Sequence, residues 1–524
     1  MAFDFNTPGA IFLFLVLIGF LNTLFKVTAR DFRLAVGLAV LVVALFFWHY
    51  TGANAVNVYA PGFWFSIFLL ISFLANLPVV WRGGTFALNR AELVLVYVML
   101  LVVSALCTMG MTQQLLPAIT GILYFASPEN KWAVTLFPLF PKRGVVVDDG
   151  SGNEGFYEGG ALDAIPYGAW VEPLCWWALF LLALYMVMVS TAVILRRQWV
   201  ERERLAYPLT QVGVAMVQGE QGRGLFNNFL KNRALWWGGA IPLFYGSLKA
   251  LNQYDPSMPN IQLIWALPLI GSQTVQLWIS FALIGFSYLI STQVAAGIWI
   301  FYLLSKFEAE FLAVSGLKST SKFIYGVADQ PLLAYQGGGA LIAMVLLGLW
   351  MARGHLWDVL RKALGRGADI DDGDEIMSYR AAVGCLLCGL LGMIGWLWLM
   401  GTDLWVGTLF VGVAILIFIG ITRVVCEAGL AAVRSPMIAP DLIVQGIGSQ
   451  WIGSGGIFNL SFAYIWSADI RIFLMAMVAN GLKLIENMDR ESRRVVFWAI
   501  VLAIFIGAVG SCWMAFHPAY KYGG

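Results

Sequence analysis

From Pro173 to Leu195 the chain runs 23 residues without one Asp, Glu, Lys, Arg or His. A helix needs about 20 apolar residues to cross roughly 30 Å of hydrocarbon, and a run of this kind has no place on a water-facing surface. It is not alone. Comparable runs occupy 9–26, 33–50, 62–81, 92–110, 172–195, 234–250, 275–304, 337–352, 381–400, 404–422 and 495–516. Shorter or interrupted apolar pieces lie at 113–125, 205–218, 261–272, 323–334, 441–467 and 468–484. Interrupted backbone at membrane depth must be buried in protein or line a wet cavity, because lipid satisfies no N–H or C=O.

Composition agrees. Only 12% of the 524 residues are charged, about half the usual share for a soluble domain. A net charge of +2 leaves no footprint for nucleic acid. Six cysteines in this length make no disulfide framework. Three dispersed histidines, His49, His355 and His517, argue against a multi-histidine metal site and against a Ser-His-Asp arrangement. The fold class expected is therefore all-α: a polytopic membrane helical bundle of about 12–16 transmembrane helices, with re-entrant or broken segments and two related halves. The halves are 1–260, with an exterior loop at 111–171, and 261–524, with a cytoplasmic loop at 353–380. The lipid bilayer is the first partner, with room for a homo-oligomer; no cofactor, no metal and no nucleic acid are expected.

Cytoplasmic loops carry an excess of Lys and Arg. Segments 26–33, 82–91 and 196–233 are basic, whereas 51–61 is uncharged and 111–171 is mainly acidic. This alternation puts the N-terminus outside a cell (inner or plasma) membrane. Segment 366–375, with four Asp and one Glu, reads as a solvated loop between the halves.

Ionisable groups beside spans carry the functional information, since at bilayer depth each costs at least about 2.5–3.5 kcal/mol. One cluster runs from Arg196 to Gln211, where a charged helix end meets Pro208 and an apolar, amide-bearing segment re-enters. A half-helix starting at Pro208 would aim free N–H groups at whatever precedes it; a charged interfacial turn with pairs such as Glu201–Arg204 accounts for the same residues. A second cluster is Arg423-Val424-Val425-Cys426-Glu427-Ala428-Gly429-Leu430. Arg423 and Glu427 stand i,i+4 and can pair on one face, either as a charge sensor or as a stabilising interfacial pair. The third is the glycine-rich 441–483 stretch, read either as close helix packing through small residues or as a re-entrant hairpin. It lacks the Lys-Ser/Thr of a phosphate loop. The candidate substrate or ion pathway is thus Glu203, Tyr207, Pro208, Gln211, Arg423, Glu427, Asp469 and Arg471. Cys385 and Cys388 read as core residues, and Glu92 and Glu172 as helix-start carboxylates.

The passage Trp199 to Pro208, and the later Ala468-Asp469-Ile470-Arg471 followed by Asn480-Gly481-Leu482-Lys483, resemble passages of the oligopeptide transporter (OPT) superfamily. More broadly, the chain resembles an uncharacterised group of bacterial and archaeal multi-pass proteins that share Glu-Arg-Leu-x-Tyr/Phe-Pro and Arg-x-x-x-Glu-x-Gly-Leu. Where OPT proteins often follow the aromatic-Pro with Ser-Gly-Thr, this chain has Leu209-Thr210-Gln211. The resemblance implies a secondary transporter for peptides or metal chelates, commonly proton-coupled, with Pro208 and 423–429 at its two break points. The expectation is a non-enzymatic transporter for a small-molecule or peptide substrate, with Glu203 or Glu427 coupling protons. The alternative is an intramembrane enzyme or lipid- or glycan-handling protein, for which no catalytic pair at convincing spacing is found.

Overall fold

The structure is a computed structural model. It describes residues 14–15, 17–23, 25–26, 81–82, 88–106, 111–140, 144–160, 165–217, 231–317, 319, 321, 331–367, 369–429, 433–467, 474–488 and 490–524. The expected span 33–50, all of 62–81 but its last residue, most of 9–26, and the pathway residues Asp469 and Arg471 lie outside these.

The chain divides into two compact units. The smaller comprises 10–96 and 212–260. In it, the Asn22 side chain accepts from Leu88 N and donates to Leu88 O. Helix α1 (Arg90–Ser104) starts with a reciprocal cap: Asn89 N donates to Glu92 Oε2 at 2.7 Å, and Glu92 N to Asn89 Oδ1 at 2.9 Å. This is the capping role read for Glu92.

The larger unit comprises 1–9, 97–211 and 261–524. Its helices include α2 (Thr112–Tyr124), α3 (Tyr167–Arg197) and α4, which begins at Pro208 and runs to Val217. After α5 (Arg233–Tyr254), which belongs to the smaller unit, the chain returns to the larger one with a hairpin of β1 (Ile264–Ile270) and β2 (Gln273–Trp278), then α6 (Thr292–Val314), α7 (Pro331–Met351) and α8 (Arg353–Ala363). It ends with α9 (Tyr379–Leu399), α10 (Leu404–Ala428), α11 (Ala439–Ile447), α12 (Ser449–Phe462), α13 (Leu474–Leu484) and α14 (Arg490–Tyr522). Five helical stretches among the described residues are long and apolar enough to cross a membrane: 167–202, 331–351, 379–399, 404–428 and 493–522. The protein is mostly helical and multi-pass.

The hairpin occupies the apolar piece 261–272 and replaces the start of the expected span 275–304, whose later part is helical in α6. Ile270 pairs with Gln273 across Gly271-Ser272, and Gly271 has φ +52°. A two-residue turn needs such a left-handed residue to match the twist of its strands. Helix α5 forms as expected, but its Trp, Tyr, Gly and Lys content keeps it out of the five.

Helix α3, about 46 Å long, is the axis of the larger unit. It packs closely on α9: a Cβ at Gly389 would come within 2.7 Å of Ala183 O. Trp177, Phe180, Trp396 and Trp466 form the aromatic core, with Phe180–Trp396 and Phe180–Trp466 centroids 4.8 and 5.0 Å apart. Helix α14 runs antiparallel to α3. Its Arg493 reaches Asp374 beside the Arg196 end, while Tyr520 accepts from Trp170 Nε1 at 2.8 Å near the other end. Helix α13, nearly all buried, is held against α3 and α10.

Segment 366–375 is not simply a solvated loop. Glu375 is buried and takes a bidentate pair from Arg196, Nε at 2.5 Å and Nη2 at 2.9 Å. A buried guanidinium costs too much to leave unpaired, so this loop folds back to neutralise the last turn of α3. Glu172 is in the second turn of α3 rather than at a helix start, and accepts from Gly144 N at 3.2 Å. Four of the five glycines of 446–456 do not pack as a small-residue seam: a Cβ at Gly446, Gly448, Gly453 or Gly455 meets nothing within 4 Å among the described residues, while one at Gly456 would meet Ile452 of its own helix at 2.8 Å. Gly448 and Gly453 instead supply positive φ where the stretch breaks into α11, α12 and a kink.

Candidate functional site

The end of α3 does not stop as an ordinary helix does. Gln198–Arg202 widens into a π-turn, with Glu203 N bonded to Gln198 O at 2.8 Å. One extra residue per turn rotates the following side chains relative to the α-helix, and such bulges recur at functional positions. Arg204 (φ +54°) and Tyr207 (φ +46°) then take left-handed backbone conformations. For non-glycine residues these cost of order 1–3 kcal/mol and persist only when surroundings over-determine them. Pro208 restarts the chain as α4, where it has no N–H to leave unsatisfied.

The surroundings are the C-terminal end of α10. Tyr207 N donates to Cys426 O at 2.8 Å, and the buried Tyr207 hydroxyl meets the Cys426 thiol. Gly429 (φ +66°) ends α10 directly against Pro208; a Cβ there would sit 2.4 Å from the proline ring. Only glycine fits both the conformation and the space.

The charges meet at the same place. Arg423 Nη2 lies 2.8 Å from Glu203 Oε2, with both side chains about five-sixths buried. Gln198 Nε2 donates to Glu203 Oε1 at 2.8 Å, and Gln198 Oε1 has no partner among the described residues. Beside Arg423 is a void of about 10 Å³ lined by Leu195, Trp199 and Gly348, near the size of a single water.

Two pairings read from spacing are replaced. Arg423 pairs with Glu203 rather than Glu427, because Glu427 is on the exposed face of α10. Glu201 pairs with Arg196 at 3.1 Å and Arg197 at 3.5 Å rather than Arg204, since the π-turn faces it back along α3.

A family model matches residues 21–524. The chain belongs to DUF6785, a family of unknown function. No curated protein matches it, and no solved structure does. The DUF6785 match gives no link to the OPT superfamily, so that likeness rests on the short motifs alone.

Of the eight residues singled out in this DUF6785 sequence, Glu203, Tyr207, Pro208 and Arg423 converge on one junction. Gln211 is exposed on the first turn of α4 and donates to Ala206 O at 3.2 Å. Gln198, Cys426 and Gly429 also belong to the junction; they lie within the two sequence clusters but are not among the eight, Gly429 being legible as the point where the chain leaves its helix. No group of three His, Cys, Asp or Glu suited to a metal ion occurs among the described residues. A larger cavity of about 450 Å³ lies between α3, α9 and α14. It is lined by Trp177, Tyr185, Phe497, Phe505 and Cys512, and by none of the eight.

Proposed function

We propose that this chain is a secondary active transporter in the cell membrane, N-terminus outside. It moves a small solute by opening and closing the junction between the broken end of α3 and the end of α10. The observation that carries this reading is the Glu203–Arg423 pair, one charge of each sign held between two backbone breaks. Rigid helices swing about such breaks, and in transporters discontinuous helices form the substrate site.

The pair also suggests what binds. A zwitterion presents a carboxylate and an ammonium, and can replace each partner of the pair with its own opposite charge. Peptides fit that description, and metal chelates are the second class the OPT likeness points to. Glu203 is the better placed proton carrier of the two glutamates, because Glu427 faces outward. A substrate that offers a carboxylate to Arg423 but no ammonium to Glu203 would leave that glutamate without its counter-charge, and a proton then supplies the missing charge.

The test is uptake by the full chain in liposomes loaded with a pH-sensitive dye, offered mixed di- and tripeptides and, separately, ferric chelates. We expect solute-dependent acidification that Glu203→Gln and Arg423→Gln each reduce at least tenfold. Folded, inserted protein that moves neither class and no protons would overturn the proposal. A second reading, a lipid-handling protein without transport, draws on the apolar 450 Å³ cavity; retention of lipid after purification, with no flux, would favour it.

A further inference from the structure

Asp441 stands in the first turn of α11 and is 7% exposed. Its Oδ1 accepts from the Tyr464 hydroxyl at 3.0 Å, and its Oδ2 is buried with no partner among the described residues. Its depth follows from α7. A Cβ at Gly348 would meet Arg423 at the basic end of the bundle, while those at Gly337 and Gly338 would meet Pro436 and Met437, just before α11. The ten residues from Gly338 to Gly348 rise about 15 Å, half of a roughly 30 Å hydrocarbon layer. An ionisable residue at that depth is costly to charge and is a functional candidate by default.

The geometry points to Asp441 as a proton-binding site at mid-membrane, about 15 Å deeper than the Glu203–Arg423 junction. Two influences oppose each other there. Burial favours the neutral acid, while the N-terminal end of α11 and the Tyr464 hydroxyl favour the carboxylate. With no cation paired to it among the described residues, such a carboxyl is free to take up a proton and, with the Tyr464 hydroxyl and the helix end supporting the anion, to release it. A metal ion is the poorer occupant, because a hard cation such as calcium takes six to eight oxygens and a single open oxygen is present here.

Among the described residues, the ionisable groups on the elements around Asp441 are few, Arg434 being the one in the segment that leads into α11. The 464–467 helix presents Tyr464, and α12 has no ionisable residue. Helix α10 carries Arg423, which is engaged with Glu203, Cys426, which meets Tyr207, and the outward-facing Glu427. One turn along α11, Gln445 accepts from Tyr335 of α7. No ion pair to Asp441 occurs among the described residues. The inference rests on the transporter reading for its purpose, since a buried exchangeable proton near the middle of the layer serves coupled movement.

Infrared difference spectra of the full chain in liposomes, stepped in pH without solute, test it directly. We expect a protonated-carboxyl C=O band that titrates, is lost in Asp441→Asn, and persists at a shifted position in Asp441→Glu. Tyr464→Phe should move its titration to higher pH, and exchanging sodium for potassium should leave the midpoint unchanged. Identical spectra from wild type and Asp441→Asn would overturn the inference, as would a midpoint that follows sodium. Dye-monitored flux separates the two proposals. A titrating band with no solute-driven flux in wild type defeats transport and leaves the proton site standing. Flux that Asp441→Asn leaves unreduced defeats the coupling role; a loss of at least tenfold supports it.

Discussion

Single residues decide how the junction holds. Gly429→Ala places a Cβ in a left-handed conformation and 2.4 Å from the Pro208 ring. The backbone term alone is about 1–2 kcal/mol, and the steric term adds to it. The expected outcome is a thermal midpoint in detergent well below wild type, with Gly429→Asn, tolerant of positive φ, still destabilised by the clash. Equal midpoints for wild type and alanine variant would remove the contact from the account. The Arg196–Glu375 pair makes a sharper case, being buried on both sides. Removing one partner of such a pair costs about 3–5 kcal/mol, whereas replacing both by apolar residues is often neutral. Glu375→Leu should therefore destabilise more than the double variant Arg196→Met, Glu375→Leu, measured by thermal unfolding in the same detergent.

At the scale of elements, α8 docks on the end of α3 through His355. Its Nε2 meets Ile194 O at 2.7 Å, and the ring is buried. Burial pushes the imidazole below its ordinary range, with Arg202 and Arg197 adding to the effect and the Ile194 carbonyl and Glu375 opposing it. The folded protein thus keeps His355 neutral where the unfolded chain, titrating near about 6.5, binds a proton. Stability from this site is complete above that pH and is lost as pH falls below it toward the folded value. His355→Gln keeps a donor for Ile194 and should flatten the fall in thermal midpoint between about pH 6.5 and 5. An unchanged slope would place the pH sensitivity elsewhere. The apolar runs that became α3, α9, α10 and α14 were readable because span length is a local property of sequence. The 264–278 hairpin was not, since short apolar strands and buried helix turns share a pattern; Gly271-Ser272 was its one local sign. Glu375 looked solvated because its partner, Arg196, is 179 residues away. Both halves of the Glu203–Arg423 junction were visible as motifs, but their meeting depends on how α3 and α10 pack.

For the larger unit as a whole, the antiparallel course of α3 and α14 fixes which segments share a side. Arg196, Arg202, Lys362 and Arg493 gather where Glu375, Asp358, Asp372 and Asp374 answer them in turn. At the opposite end, Gly159 packs on Gly523, Phe156 meets Tyr520, and Asp149 accepts from Ser151 N and Asn153 N. Because Lys and Arg tend to mark the cytoplasmic face, the proposed orientation puts residues 144–158 and the end of α14 together outside and 353–378 inside. Ser151→Cys and Gly524→Cys should react with a membrane-impermeant maleimide in intact cells, and Ser378→Cys only after permeabilisation. Labelling of all three in reverse would invert the orientation while keeping the bundle. Labelling of Ser151→Cys and Ser378→Cys from the same side would contradict the bundle itself, because α3 and α9 would then no longer separate them across the membrane.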